Sequence, residues 1–220
     1  MLYRDRRPLI VFLVPGFLLM LVFLYYPFLV NIFNSLFDIR SMAGRQETFQ
    51  GLANYRKFFL EDPIGRVALV NSVKIMALTA VFQVGMALIL ALMVDSIKKG
   101  QQFFRVVYFF PIVISATAIG LMFNLFYSYD GGMFNQIRAW FGLDRVFWLD
   151  KDRAFTMLAI PILWQYVGFY FVILLTGLSG IPEEVYVSAA LDGATGLKKV
   201  WYITLLLVSV VLVTCTTLAV

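Results

Sequence analysis

Five apolar stretches constrain what this chain can fold into more than any other feature. They cover residues 8–37, 67–94, 106–129, 154–182 and 200–220, and Lys74 is the one charged residue within them. A helix needs about 20 apolar residues to cross a bilayer core of about 30 Å. The runs are continuously apolar rather than alternating, which favours helices over the strands of a membrane barrel. The pattern predicts an all-α fold, a polytopic transmembrane helical bundle with about five spans.

Composition points to a chain whose solvent is largely lipid. Of the residues, 61% are hydrophobic and 14% are charged, whereas a soluble domain carries about 25% charged residues. The net charge of +5 comes from short basic clusters between the apolar stretches, which is typical of membrane proteins and does not suggest nucleic-acid binding. The chain has no His and one Cys, Cys215. We therefore expect no metal site, no internal disulfide and no His-based catalytic group.

A count of basic residues, eight inside against nine outside, does not decide the orientation of the chain, but loop lengths and the placement of acids favour a cytoplasmic N-terminus. With that orientation the outer loops, 38–66 and 130–153, are long and hold eight acids, whereas the inner loops are shorter. Basic residues near the ends of short loops carry most of the orienting weight. The first apolar run is too long for a signal peptide and is interpreted as a retained span. The basic residues assigned to the inside are Arg4, Arg6, Arg7, Lys98, Lys99, Arg105, Lys198 and Lys199.

The segment between the fourth and fifth apolar stretches carries the most functional information. It runs Ile-Pro-Glu-Glu-Val-Tyr-Val-Ser-Ala-Ala-Leu-Asp-Gly-Ala over residues 181–194. Pro182 suits a first helical position, and Glu183 and Glu184 complement the helix dipole in the first turn. Small residues after them would let another surface approach the backbone closely. The same composition also fits an ordinary connector between two spans.

This segment resembles the EAA loop of permease subunits in type I importers of the ATP-binding-cassette (ABC) class, particularly the sugar and glycerol-phosphate branch. Gly193 matches the glycine of the loop pattern, and Ile203-Thr204-Leu205 follows at the spacing of its Ile-x-Leu-Pro ending. Residues 51–55, 103–111 and 130–135 are similar to further motifs of that branch, in the same order along the chain.

Three departures from the family pattern concern coupling and completeness. Val187 and Ser188 stand where the family usually has the glutamate and first alanine of Glu-Ala-Ala, and Leu206 replaces the proline of Ile-x-Leu-Pro. The sequence ends at Val220, inside the fifth apolar stretch, whereas members of this branch continue to a sixth span. The resemblance therefore predicts a fragment, a truncated product or a degenerate copy, with weaker coupling than a typical member.

The resemblance implies a MetI-like permease fold, with residues 1–220 as a single transmembrane domain and residues 181–199 as its cytoplasmic coupling loop. The implied partners are a second permease subunit, a cytoplasmic ATPase dimer, an extracytoplasmic solute-binding protein and the lipid bilayer of a bacterial or archaeal inner membrane. The chain itself would not be an enzyme and would hold no cofactor, because ATP would be bound and hydrolysed by the partner. Consistently, the sequence contains no Gly-x-x-x-x-Gly-Lys-[Ser/Thr] phosphate loop.

Two sets of candidate site residues follow. The residues predicted to dock on the ATPase are Glu183, Glu184, Ala189, Ala190, Asp192 and Gly193. The residues considered for a sugar path, because aromatic planes and an amide suit a sugar, are Trp164, Gln165, Gly168 and Tyr170. The alternative interpretation of this second set is helix packing, in which Gln165 forms a hydrogen bond to a neighbouring helix.

Three other functional classes stay open at this stage. A membrane-embedded enzyme would need a polar catalytic cluster, and the apolar stretches contain almost no acids. An ion-coupled secondary transporter would usually place ionisable residues at mid-depth in the membrane, where Lys74 alone is available and sits near one end of its stretch. A permease that binds its partners without transporting is the third possibility.

Overall fold

The computed structural model describes residues 7–39, 47–97 and 99–220. Arg4, Arg6 and Lys98, on which part of the orientation prediction rests, lie outside this part of the chain. Contacts group the chain into two compact units, Met1–Val70 and Asn71–Val220, and each is described by itself. In the described residues, four helices are long and apolar enough to cross a membrane, and a bent helix pair makes up to five.

The first unit begins with a long apolar helix. It comprises α1 (Arg7–Met20), a π-helical turn (Leu21–Tyr25) and α2 (Tyr26–Asn34), and Ile10–Asn34 is long enough to span a membrane. The π-helical turn ends two residues before Pro27, which has no backbone N–H to donate. Phe12 is 81% and Phe23 75% exposed. Side chains of this kind face lipid or another subunit in a membrane protein.

A short antiparallel strand pair follows, which the all-α prediction did not include. β1 (Phe37–Ile39) pairs with β2 (Glu47–Phe49), with Phe37 opposite Phe49. The motif at 51–55 supports this turn, because Asn54 in α3 (Ala53–Arg56) donates to the carbonyls of Ser35 and Phe37, each at 2.9 Å. A second link joins the hydroxyls of Ser35 and Tyr55 at 2.6 Å. The motif therefore ties the loop after the first span to the end of that span.

The remaining helices follow in chain order. They are α4 (Pro63–Ala77), a π-helical turn (Leu78–Gln83), α5 (Val84–Asp95), α6 (Gln101–Val113), α7 (Ala116–Tyr127), α8 (Met133–Trp140), α9 (Ala154–Ser179), α10 (Glu183–Leu191), α11 (Gly196–Lys199), a π-helical turn (Val200–Thr204) and α12 (Leu205–Ala219). Pro63–Asp95 and Gly196–Ala219 are continuous spans despite their π-helical turns.

The third predicted span is broken rather than straight. α6 and α7 meet at an angle of 92°, at Ile114 and Ser115. Pro111 lies in the last turn of α6, and the Ser115 side chain caps α7 by accepting from the Ala118 N–H at 3.2 Å. Apolar length alone predicted one straight span over 106–129 because the break is made by a cap and a proline, not by a loss of hydrophobicity.

α9 is the central helix of the second unit. Its residues Phe171, Leu174 and Leu175 are fully buried. They form one core with α5 and α12, whose buried members are Val84, Ala87, Ala91, Val94, Val208 and Cys215. Lipid tails are as apolar as these side chains, so association in a membrane depends on close packing rather than on the hydrophobic effect. Ala87 and Ala91, on successive turns of α5, allow that close packing.

Candidate functional site

α10 is a short helix with both ends defined by local chemistry. Pro182 has an extended conformation (φ −61°, ψ 138°) and directly precedes the helix. Its carbonyl accepts from the Val185 N–H at 3.1 Å. Glu183 and Glu184 occupy the first turn, where each carboxylate stabilises the positive end of the helix dipole by about 0.3–1 kcal/mol.

Gly193 ends α10 in a left-handed conformation, with φ +79°. The Gly193 N–H donates to the Ala190 carbonyl at 3.1 Å, and the Ala194 N–H donates to the Ala189 carbonyl at 2.8 Å. This pair of bonds is a Schellman motif, whose left-handed position favours glycine. A Cβ added at Gly193 would meet no other atom within 4 Å. Within this chain, the requirement for glycine is therefore conformational and not a matter of close approach.

The exposed face of α10 differs from the predicted docking set at one position. Glu183, Glu184, Ala190, Asp192 and Gly193 are exposed, whereas Ala189 is only 6% exposed. The Ala189 side chain faces the chain itself, so it does not belong to the surface that a partner can reach. Val187, which the sequence places at the family's glutamate position, is 55% exposed on this surface. Sequence reasoning missed Leu191, which is 85% exposed. A large aliphatic side chain left exposed on a short helix is the signal that identifies Leu191.

A basic residue links α10 to the ends of two spans. The Lys199 ammonium lies 4.7 Å from the centre of the Tyr186 ring of α10, a cation–π contact. The same ammonium acts electrostatically on Asp95, the last residue of α5. Nearby, the Gln101 side chain donates to the carbonyls of Val94 and Ile97, at 3.2 and 3.1 Å. α10, the end of α5 and the start of α6 therefore lie at the same end of the second unit.

Three of the four residues considered for a sugar path are used in helix packing. Gln165 is 8% exposed and donates to the Ile114 carbonyl at 3.2 Å, at the break between α6 and α7. The Tyr170 hydroxyl donates to the Leu218 carbonyl at 3.2 Å. A Cβ on Gly168 would lie 1.7 Å from the Tyr108 carbonyl oxygen, so glycine permits the contact between α6 and α9. The structure therefore does not place these three on an open path.

Trp164 is the member of that set that lines open space. It is 38% exposed and packs against Phe123, with ring centroids 5.9 Å apart. It borders a groove of about 320 Å³ between α9 and the second span. The other residues along this groove are Phe82, Gln83, Met86, Ile160, Leu163 and Val167.

Polar side chains inside the spans donate to backbone carbonyls of neighbouring helices, and one of these carbonyls has lost its helical donor to a proline. Pro161 cannot donate to the carbonyl four residues earlier, that of Met157, and the Tyr127 hydroxyl donates to it at 2.8 Å. Gln83 donates to the Leu163 carbonyl at 3.1 Å. In lipid, each unsatisfied backbone group would cost several kcal/mol. Sequence reasoning did not single out Gln83 or Tyr127, although an isolated amide in an apolar run is a usable signal.

The segment between α7 and α9 is organised around one buried amide. Asn135, in the motif at 130–135, is 3% exposed. Its oxygen accepts from the Val146 N–H and the Trp148 indole at 3.0 and 3.1 Å, and its amide donates to the Val146 carbonyl at 3.0 Å. An exposed ion pair between Arg145 and Asp130, at 3.0 Å, lies beside it. The motif therefore has a structural role in folding this segment.

Comparison with known proteins decides the family. The sequence is 38% identical, over 199 residues, to a probable ABC transporter permease protein, YurN, of Bacillus subtilis (strain 168), and the match covers 88% of this chain and 67% of the relative. The chain belongs to the ABC transporter permeases. No protein-family model matches this permease.

Other comparisons agree with this assignment. The permease is 30% identical over 209 residues to an arabinooligosaccharides transport system permease protein, AraP, of Halalkalibacterium halodurans, covering 94% of this chain and 65% of the relative. A solved bacterial ABC transporter involved in the import of the acidic polysaccharide alginate is similar in fold, with a TM-score of 0.82 at 24% identity, over 97% of this permease and 72% of that chain. The permease spans about two thirds of the length of such relatives. The predicted family and membrane fold are confirmed.

Proposed function

We propose that this permease is the membrane subunit of an ATP-driven importer and that α10 couples it to a cytoplasmic ATPase. The observation that carries the proposal is the exposed face of α10, held at both ends and attached to the spans by Lys199. A helix that presents the apolar Leu191 beside Glu183 and Asp192 has the apolar and charged groups that a helix-in-groove contact uses. ATP would be bound and hydrolysed by the partner, and the permease would hold no cofactor.

The substrate class we propose is a sugar or a related polar solute. The support comes from the family, since AraP is named for the transport of arabinooligosaccharides. Within this chain, Trp164 supplies an exposed aromatic plane beside the groove that it borders, and aromatic planes suit the apolar faces of sugar rings. Gln165, Gly168 and Tyr170 would act indirectly, by holding the α6–α7 break and the neighbouring helices in place.

The remaining partners follow from the same proposal. They are a second permease subunit, an ATPase dimer and an extracytoplasmic solute-binding protein. The location is the inner membrane, with the N-terminus and α10 on the cytoplasmic side. α10 lies at the same end as the basic residues Lys99, Arg105, Lys198 and Lys199, as the preference of basic residues for the cytoplasmic side requires.

Affinity purification of the full chain from its native membrane tests the proposal. We expect an ATPase subunit and a second permease to copurify at stoichiometric amounts. Leu191→Glu should reduce recovery of the ATPase by about tenfold, because it places a charge in the centre of an apolar contact, while recovery of the second permease should be unchanged. Lys151→Glu, in the segment between α7 and α9, is the matched control. Recovery of the chain alone, or equal ATPase recovery with Leu191→Glu, would contradict coupling through α10.

Substrate uptake separates a working importer from a permease that only assembles. Proteoliposomes containing the purified complex should accumulate a labelled oligosaccharide when ATP is supplied on the α10 side and the solute-binding protein on the opposite side. Assembly with ATPase activity but without uptake would support the alternative, a non-transporting permease.

A further inference from the structure

An arginine at the α10 end of the second unit has a buried donor without an acceptor. The Nε atom of Arg105 is buried and has no hydrogen-bond partner. None of the ion pairs among the residues that the structure describes involves Arg105. The Arg105 side chain as a whole is half-buried and lines an open groove. Because it has no ion-pair partner in the described part of the chain, its guanidinium is free to meet an acceptor supplied from outside the chain.

Arg105 stands at one end of an open groove along α6. The groove has a volume of about 350 Å³, and Gln102 lies beside Arg105 at its polar end. Below them, Val106, Phe109 and Val113 line the groove on the same face of the helix, at intervals of three to four residues. One end of the groove is therefore a guanidinium with an amide, and the rest is apolar.

The dimensions of this groove match one leaflet of a bilayer. From Arg105 to Val113 the helix rises by about 12 Å, at 1.5 Å per residue, and one leaflet of the hydrocarbon core is about 15 Å thick. The polar end lies near the membrane surface on the α10 side, because Gln101 at the start of α6 caps the end of α5. A ligand with an anionic head and a long apolar tail fits this arrangement.

We propose that Arg105 and the α6 groove bind an anionic phospholipid, with the phosphodiester on the Arg105 guanidinium and one acyl chain along Val106, Phe109 and Val113. The guanidinium presents donors in a planar fork that suits phosphate oxygens, and the Gln102 amide adds a further donor. Basic pockets at the ends of membrane helices bind anionic lipid head groups by this chemistry. A zwitterionic lipid offers the same tail but repels the guanidinium with its own cation.

The test is lipid retention by the purified full chain in detergent. Phosphatidylglycerol and phosphatidylcholine with the same acyl chains are added at equal concentration, and bound lipid is counted by native mass spectrometry. We expect phosphatidylglycerol to be preferred and Arg105→Gln to lower its retention about tenfold, as loss of a charge-assisted hydrogen bond predicts. Lys198→Gln, which removes a charge at the same end away from the groove, should change retention less than twofold.

Two further variants separate the head-group contact from the tail contact. Arg105→Lys should keep only part of the preference for phosphatidylglycerol, because the positive charge remains but the planar fork of donors is lost. Val106→Trp should lower retention of both lipids by filling the groove, since Val106 is exposed and the larger ring meets no packed core. Excess inorganic phosphate should not displace the lipid, because a free anion lacks the acyl chain; displacement would mean that the site takes a free phosphate instead.

A photoreactive residue identifies the occupant in the membrane. Benzoylphenylalanine in place of Phe109 should form an adduct with the mass of a phospholipid. An adduct with a second polypeptide would overturn the proposal in favour of a subunit interface. Equal retention of phosphatidylglycerol by Arg105→Gln and the parent chain would overturn it as well. Neither result depends on ATPase binding or transport. Failure of the lipid proposal can therefore be distinguished from failure of the proposed function.

Discussion

The Tyr127 hydroxyl donates a hydrogen bond of 2.8 Å to the Met157 carbonyl, the carbonyl that Pro161 leaves without its helical donor. The end of α7 therefore supplies the donor that α9 lacks. A proline kink in a membrane helix is tolerated when a neighbouring group satisfies the freed carbonyl. This contact also anchors the segment between α7 and α9, because the Tyr127 ring packs against Phe134 of α8 with centroids 5.4 Å apart.

We predict that Tyr127→Phe lowers the free energy of unfolding by about 1 kcal/mol, the contribution of one hydrogen bond between membrane helices. The measurement is unfolding of the purified chain in mixed detergent micelles. The same substitution in a Pro161→Ala background should cost much less, because the backbone N–H that this background restores can itself donate to the Met157 carbonyl. An equal cost in both backgrounds would show that the hydroxyl does not replace the proline's missing donor.

Gly168→Ala should be strongly destabilising. The added Cβ would lie 1.7 Å from the Tyr108 carbonyl oxygen, so α6 and α9 must separate, at a cost of about 1–3 kcal/mol or more. Gly120→Ala is the matched control, because Gly120 lies in α7 with nothing within 4 Å of its added Cβ. There the substitution should be neutral or stabilising. Unfolding in mixed micelles compares the two, and equal stability would contradict the observed close approach.

Gly193→Ala should weaken the end of α10 by about 1–2 kcal/mol, because φ is +79° at this position and a Cβ disfavours the left-handed region. Gly193→Asn should cost less, since asparagine tolerates that region better. We expect ATPase recovery in the affinity purification to fall in the order Gly, Asn, Ala. Gly85→Ala, in α5 and free of contacts within 4 Å, is the control. Equal recovery with alanine and asparagine would contradict a conformational role.

Val187→Glu restores the residue type that the family usually has at this position. Val187 is 55% exposed on α10, so a glutamate is accommodated without burying a charge. We expect stimulation of the partner ATPase to increase several-fold, through an added charged contact of about 1 kcal/mol. Val210→Glu provides a contrast, because Val210 is exposed on α12 within the membrane. A charge at that position should impair membrane insertion instead of improving coupling. Unchanged ATPase stimulation and assembly with Val187→Glu would show that Val187 does not limit coupling.

The candidate site was only partly predictable from the sequence. The start of α10 was predicted to within one residue from Pro182, Glu183 and Glu184, because helix ends depend on interactions within a few residues. The direction in which Ala189 faces was not predictable, since it depends on how the helix is rotated against the spans. Gln165 and Gly168 were considered for a sugar path, and their tertiary contacts with Ile114 and Tyr108 show that they take part in helix packing.

The sequence by itself determined the membrane environment, the positions of the spans and the family. Bilayer thickness sets a minimum length for each apolar stretch, and that length can be counted directly in the sequence. The motifs, which occur in the same order as in the family, identify the family. The tertiary structure alone decided that the third span is bent by 92°. It also decided that the Tyr127 hydroxyl donates a hydrogen bond to the Met157 carbonyl and that the Nε atom of Arg105 is left without a partner. The physical reason is that a freed carbonyl or a buried donor finds a partner only where packing brings a suitable group within about 3 Å. Separation along the chain does not predict which groups come that close.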